Sequence, residues 1–218
     1  MKLINRVQYY RLARSEKTCE IKTRACGANS WSSICEEAYR ICTGIFHRIV
    51  VSKPGLNYYD IRKNCTGSLC YDFSNVETFL NDKAVQKALG VRDIYFVPCS
   101  SKVYELMFPD MMKNFQVGLP TLLQDGIKLL IYAGEYDLIC NWLGNSRWVE
   151  NMQWSGRKRF VSGKWVPFKV GGVAAGLRKS YGGLTFLKVY NAGHMVPMDQ
   201  PRASLEMLRK WMQGLFDY

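Results

Sequence analysis

An α/β fold is what these 218 residues predict, on three observations. Residues 128–133, Lys-Leu-Leu-Ile-Tyr-Ala, form an apolar run of strand length, and residues 177–189 alternate as strands do. Each run leads into a loop holding a chemically capable side chain, Asp137 after the first and His194 after the second. Helical patterns lie between and after them, at 141–153 and 201–213.

The elements follow in order. Residues 1–56 read as helical and carry Cys19, Cys26, Cys35 and Cys42; residues 57–70 are a turn-rich connector with Cys65 and Cys70. A helix is expected over 74–89, with Ser74 as cap, Glu77 completing a capping box and Gly90 as the stop. Its apolar face would be Val76, Phe79, Leu80, Val85 and Leu89. A second helix, interrupted or bent at Pro109, is expected over 102–115, and a helical turn at 120–125 leads into the strand at 128–133. Asn141 starts the helix at 141–153. Strands are expected at 160–170 and 177–189, with Gly171-Gly172 and Gly182-Gly183 as turns. The closing helix, 201–213, would bury Leu205, Leu208 and Trp211.

Composition narrows the function classes. At 48% hydrophobic, the chain can bury one sizeable core. No run reaches the roughly 18–20 apolar residues of a membrane span, and the first residues contain no apolar signal-peptide core. The net charge of +12 is concentrated after residue 150, where no acidic residue stands between Asn151 and Met198. Arg157-Lys158-Arg159 and Arg178-Lys179 lie among glycine-rich turns without a nucleic-acid motif, so a solvated basic surface is expected and no nucleic-acid partner.

The cysteines point to an oxidising compartment. Cys19, Cys26, Cys35 and Cys42 are spaced 7, 9 and 7 apart. That symmetry suits a nested pair, Cys19 to Cys42 outside and Cys26 to Cys35 inside, although spacing alone leaves the connectivity open. Paired Cys-x-x-Cys spacing is absent and His47 is the only nearby histidine, so no metal site and no cofactor are expected.

The order of Asp137 and His194 is that of an α/β-hydrolase triad, which runs Ser, Asp, His along the chain. A carboxylate behind an imidazole fixes its tautomer and stabilises the imidazolium, and the imidazole deprotonates a serine. The serine belongs on a Gly-x-Ser-x-Gly turn, and no window of these residues has that pattern.

The surroundings of both residues, Gly134-Glu135-Tyr136-Asp137-Leu138-Ile139-Cys140-Asn141-Trp142-Leu143-Gly144-Asn145 and Ala192-Gly193-His194-Met195-Val196-Pro197, resemble the serine carboxypeptidase family, its plant members in particular. The resemblance runs from about residue 1 to 214 and covers only the carboxyl-terminal portion of a full-length member. It implies an α/β-hydrolase core over 71–218, with 1–70 as a disulfide-tied helical cap segment. Asp137 and His194 are then catalytic, and Tyr59, Tyr71 and Met195 contribute to the pocket for the leaving residue of a peptide. The resemblance supports the nested pairing and implies a third bridge, Cys65 to Cys70. It also implies that Cys99 pairs with a cysteine of the amino-terminal portion, whether in a longer precursor or a complementary chain. Cys140 matches a free thiol close to the active site, with an inert buried cysteine as the plainer reading. The family's Gly-Glu-Ser-Tyr-Ala-Gly segment and oxyanion contacts lie in that amino-terminal portion, so this chain alone is expected to be inactive.

Three readings compete: a carboxypeptidase acting on peptide carboxyl ends, an acyltransferase of the same group, or a non-catalytic binding protein. Acyltransferases often carry Thr-Ala after the histidine, and Met195-Val196 favours the peptidase. The implied location is the secretory pathway, vacuolar or extracellular.

Overall fold

Two helices joined by two disulfides begin the chain in the computed structural model, which describes residues 3–26, 32–67 and 69–216. Helix α1 (Arg6–Cys26) opens on a reciprocal cap, Asn5 Oδ1 accepting from Gln8 N and Gln8 Oε1 from Asn5 N, each at 2.8 Å. Helix α2 (Ser33–Val51) is bonded to α1 through Cys19–Cys42 and Cys26–Cys35 and buries Cys35 and Ala38. A third disulfide, Cys65–Cys70, closes a short loop.

By contacts the chain divides into two compact units, Met1–Gly55 with Cys65–Asn114 and Leu56–Asn64 with Phe115–Tyr218. The expected boundary at residue 70 is one of descent, and these units do not bear on it. The first unit continues with α3 (Ser74–Asn81), α4 (Lys83–Ala88) and α5 (Ser101–Met107).

Two expectations need correction here. The helix expected over 74–89 is two helices, and Ser74 is its first helical residue rather than its cap. The break is at Asp82, whose extended backbone and Oδ1, accepting from Ala84 N at 2.8 Å and Val85 N at 3.1 Å, restart the helix. Val76, Phe79 and Leu89 of the expected buried face are exposed. Of the two alternatives at Pro109, interruption holds, and the helix expected to reach residue 115 stops at Met107. Proline has no N–H for a helical bond, and Phe108–Asp110 forms a 3-10 turn.

The second unit is a three-layer structure. Its elements are α6 (Leu119–Gln124), β1 (Leu129–Gly134), α7 (Trp142–Asn151), α8 (Arg157–Ser162), β2 (Val166–Val170), β3 (Val173–Tyr181), β4 (Leu184–Val189), α9 (Val196–Asp199) and α10 (Pro201–Met212). The sheet order is β1-β4-β3-β2, with β1 and β4 parallel and the other pairs antiparallel. Alternation along β4 divides the core. Leu184 and Phe186 pack with Val149, Met152 and Phe160 of the α7–α8 layer, whereas Leu187 and Val189 pack with Ala203 and Met207 of α10.

The strand expected over 160–170 starts only at Val166, because Phe160 is buried from a short helix, α8. On α10 the inward face is Ala203, Met207 and Trp211, while Leu205 and Leu208 are exposed. The sequence holds two apolar stripes at helical spacing, and only packing selects one.

Strand β1 reads as a strand covered on both faces, yet it is half-exposed and pairs only with β4 among the described residues. An unpaired apolar edge templates association. Expressed alone, the chain should bind ANS and form concentration-dependent oligomers in sedimentation runs, and Tyr132→Lys on that edge should reduce both. A monodisperse monomer without ANS binding would contradict this.

Candidate active site

The two chemically capable side chains meet at the carboxyl ends of the parallel pair. Parallel register sets Gly134 of β1 beside Val189 of β4, so the loops that follow leave the sheet side by side. Asp137 Oδ2 lies 2.9 Å from His194 Nδ1. The other carboxylate oxygen, Oδ1, accepts from Cys140 N at 3.0 Å. The Asp137 side chain is 4% exposed and that of His194 34%, so the acid is sequestered and the imidazole reaches solvent. With Nδ1 held by Asp137, Nε2 is the nitrogen left to exchange protons.

Backbone bonds seat both loops. Glu135 N donates to Val189 O and Tyr136 N to Ala192 O, each at 2.9 Å. A third segment, 57–60, bridges them: Leu138 N and Ile139 N donate to Tyr58 O at 3.1 Å, and His194 N donates to Tyr59 O at 2.8 Å. That segment is bent by buried Asn57, whose Oδ1 accepts from Tyr59 N and Asp60 N.

A buried ionic clamp holds the arrangement. Asp60, 1% exposed, takes two bonds from the Arg62 guanidinium at 2.9 and 2.7 Å. Lys63 Nζ lies 3.3 Å from Asp60 and 2.9 Å from Asp199. Asp199 Oδ2 accepts from Gly193 N at 2.7 Å, and Arg62 donates to Asn191 O, so the His194 loop is tied on two sides. Burial alone would raise the Asp60 pKa. The Arg62 and Lys63 bonds outweigh it and hold the carboxyl below its ordinary value.

Glycine is required at two points. A Cβ on Gly134 would strike the carbonyl oxygens of Ala192 and Gly193. One on Gly193 would stand 2.5 Å from Tyr59 O and 2.7 Å from Asp60 Cβ. Gly193→Ala should therefore push the His194 loop away and destabilise the unit by about 1–3 kcal/mol. Loss of the low-field imidazole proton signal, with a lowered unfolding midpoint, is the expected readout.

Of the expected substrate residues, Tyr59 lies with its ring 5.0 Å from the His194 imidazole, and Met195 follows His194 and is exposed. Tyr71 belongs to the first unit, beside a recess of about 450 Å³ lined by Leu69, Phe73, Val97 and Pro98. Asn141 is a helix cap, its Oδ1 accepting from Gly144 N at 2.8 Å. Cys140 is at the rim, and its thiol pKa is raised by burial and then by Asp137, the reverse of what an activated nucleophile needs. Sequence reading missed Asn57, Asp60, Arg62, Lys63 and Asp199. The crowded polar and aromatic run at 57–63 was the available signal.

A sheet that sets an acid and a histidine on adjoining loop tips is an arrangement that suits the acid–base half of a hydrolase site. The comparisons agree: the profile of the family described as serine carboxypeptidase matches residues 1–214, and this chain belongs to that family. It is 60% identical over 214 residues to serine carboxypeptidase-like 47 of Arabidopsis thaliana, covering 98% of this chain and 42% of that protein. It is 58% identical to serine carboxypeptidase 3 of Oryza sativa subsp. japonica, covering 98% and 43%. A serine carboxypeptidase-like protein of Pisum sativum is 60% identical over 196 residues, covering 90% of this chain and 68% of that one. The fold matches the crystal structure of Kex1(delta)p, a prohormone-processing carboxypeptidase from Saccharomyces cerevisiae, with a TM-score of 0.73 over 97% of this chain and 49% of that one, at 23% identity. The chain thus spans about two fifths of the length of the first two relatives. Beside Asp137 and His194 stands Cys140, and no Gly-x-Ser-x-Gly window occurs among these residues.

Proposed function

We propose that this chain supplies the acid–base half of a serine-type carboxypeptidase whose serine and oxyanion donors reside in an amino-terminal portion. The observation that carries the reading is the Asp137–His194 bond at Nδ1, which leaves Nε2 to serve a nucleophile. In the assembled site His194 Nε2 takes the serine proton as the hydroxyl attacks the scissile carbonyl, and Asp137 stabilises the imidazolium. The imidazolium then protonates the amine of the departing carboxyl-terminal residue. Water, deprotonated in turn by His194, releases the acyl group. Tyr59 and Met195 would contribute apolar surface that favours hydrophobic leaving residues, and the family resemblance gives Tyr71 the same role.

The three disulfides fit an oxidising, secretory location, vacuolar or extracellular. No helix among the described residues is long and apolar enough to cross a membrane. Exposed Cys99 is the thiol through which a separate amino-terminal chain would be linked.

Purified alone, the chain should release no residue from peptides with free carboxyl ends, since it lacks a nucleophile for the acyl-enzyme. Co-expressed in an oxidising compartment with the amino-terminal portion of the Oryza relative, it should restore labelling by a serine-directed reagent. Loss of labelling in Cys99→Ala would place the link at that thiol. Absence of labelling with both portions soluble and oxidised would overturn the reading, as would turnover by the chain alone that vanishes in His194→Ala.

A further inference from the structure

We propose that Asp137, Cys140 and His194 form a site for a borderline-soft divalent cation of the zinc type. One carboxylate oxygen, Cys140 Sγ and one imidazole nitrogen all lie within 4.8 Å of one another. Carboxylate, thiolate and imidazole are the donors zinc takes, at about 2.0–2.3 Å. Tetrahedral bonds of that length set the donors roughly 3.5 Å apart, so Cys140 Sγ would move in by up to about 1 Å while the Asp137–His194 pair, at 2.9 Å, would open slightly. Cys140 is an exposed residue at the rim, and a turn about its side-chain torsion can supply that movement.

Charge gives a second, independent argument. The Asp137 side chain is more than nine-tenths buried, and among the described residues no lysine or arginine pairs with it. The nearby cations are committed elsewhere: Arg62 and Lys63 to Asp60, Lys63 also to Asp199, and Lys188 to Glu135. The carboxylate therefore has only a titratable imidazole and a backbone N–H as partners, and a bound cation would supply the missing positive charge. On binding, the Cys140 thiol gives its proton to solvent, the imidazole carries its proton on Nε2, and sulfur–metal and Nδ1–metal bonds form in place of the Asp137–His194 hydrogen bond. Three protein donors leave a fourth position open on the exposed side of His194, where water would complete the tetrahedron.

The proposal reverses the expectation of no metal site, which weighed the cap cysteines and His47. Asp137 and Cys140 are three residues apart, but His194 reaches them only through the parallel β1–β4 pairing, so no spacing motif announces the cluster. Metal occupancy and the base role of His194 exclude each other, so the cation would act on the proposed peptidase as an off-switch. The binding itself needs neither the serine nor peptidase activity.

Cobalt(II), which replaces zinc and reports thiolate ligation by near-ultraviolet charge-transfer absorption, is the probe. Titrated into the oxidised full chain, it should give that absorption with saturation at one equivalent, and zinc should displace it. Cys140→Ser should abolish the band, and His194→Ala should weaken binding at least about 10-fold. Cys99→Ser and His47→Ala, at the other free thiol and the other histidine, should leave the titration unchanged. A featureless titration, or a band that survives Cys140→Ser, would overturn the proposal whatever the outcome of the peptidase assays.

Discussion

In the enzyme reconstituted from both portions, His194→Ala should lower kcat about a million-fold, the scale on which loss of a triad histidine acts. Asp137→Asn should lower it about ten-thousand-fold, because an amide in place of the carboxylate favours the wrong imidazole tautomer. The two losses should not add, since both act on one proton transfer through the Nδ1–Oδ2 bond of 2.9 Å. Measuring kcat and KM separately for each variant checks this, with KM staying within a few-fold because neither residue binds the distant part of the peptide. A double variant losing the product of the two factors would show that Asp137 works elsewhere than behind His194.

Asp60→Ala should destabilise the unit by about 1–3 kcal/mol, less than deleting one partner of a fully buried pair costs, because Arg62 and Lys63 are part-exposed and can turn to solvent. It leaves Arg62 without its bidentate acceptor and frees the segment whose Tyr59 carbonyl holds His194. The same carboxylate predicts a pH dependence. Its folded pKa is below the unfolded value of about 3.9, so below that value the unfolded chain binds more protons. The stability contributed by Asp60 is complete above about pH 4 and drains away as pH falls through the folded pKa. Urea unfolding of the reconstituted protein between pH 3 and 7 should show this slope, flattened in Asp60→Asn. An unchanged slope would remove Asp60 from the account.

The acid–base pair was legible in sequence because both halves sit in contiguous motifs that follow apolar runs, and strand-to-loop geometry puts such residues at a sheet's rim. Their being partners was inferred from order and resemblance; the distance between them came from the parallel register of β1 and β4. Asn57 to Lys63 looked like a connector because its value lies in hydrogen bonds to loops some 75 to 135 residues away in sequence, and local pattern carries no trace of such pairs.

The sequence by itself determined the family, the α/β alternation, the identity of the acid and the base, and the absence of a Gly-x-Ser-x-Gly turn among these residues. These are properties of contiguous residue types and of local periodicity. Tertiary structure decided where competing local signals resolved. Asp82 broke one expected helix in two by capping its own successors, and Phe160 was drawn into a short helix by the core of Val149 and Met152. Helix α10 turned Met207 inward and left Leu205 outside. Tertiary structure also brought Cys140 against Asp137 and His194, and joined Asp60 to Asp199 through Lys63. Burial and ion pairing depend on what else occupies the space, and only the folded chain specifies that.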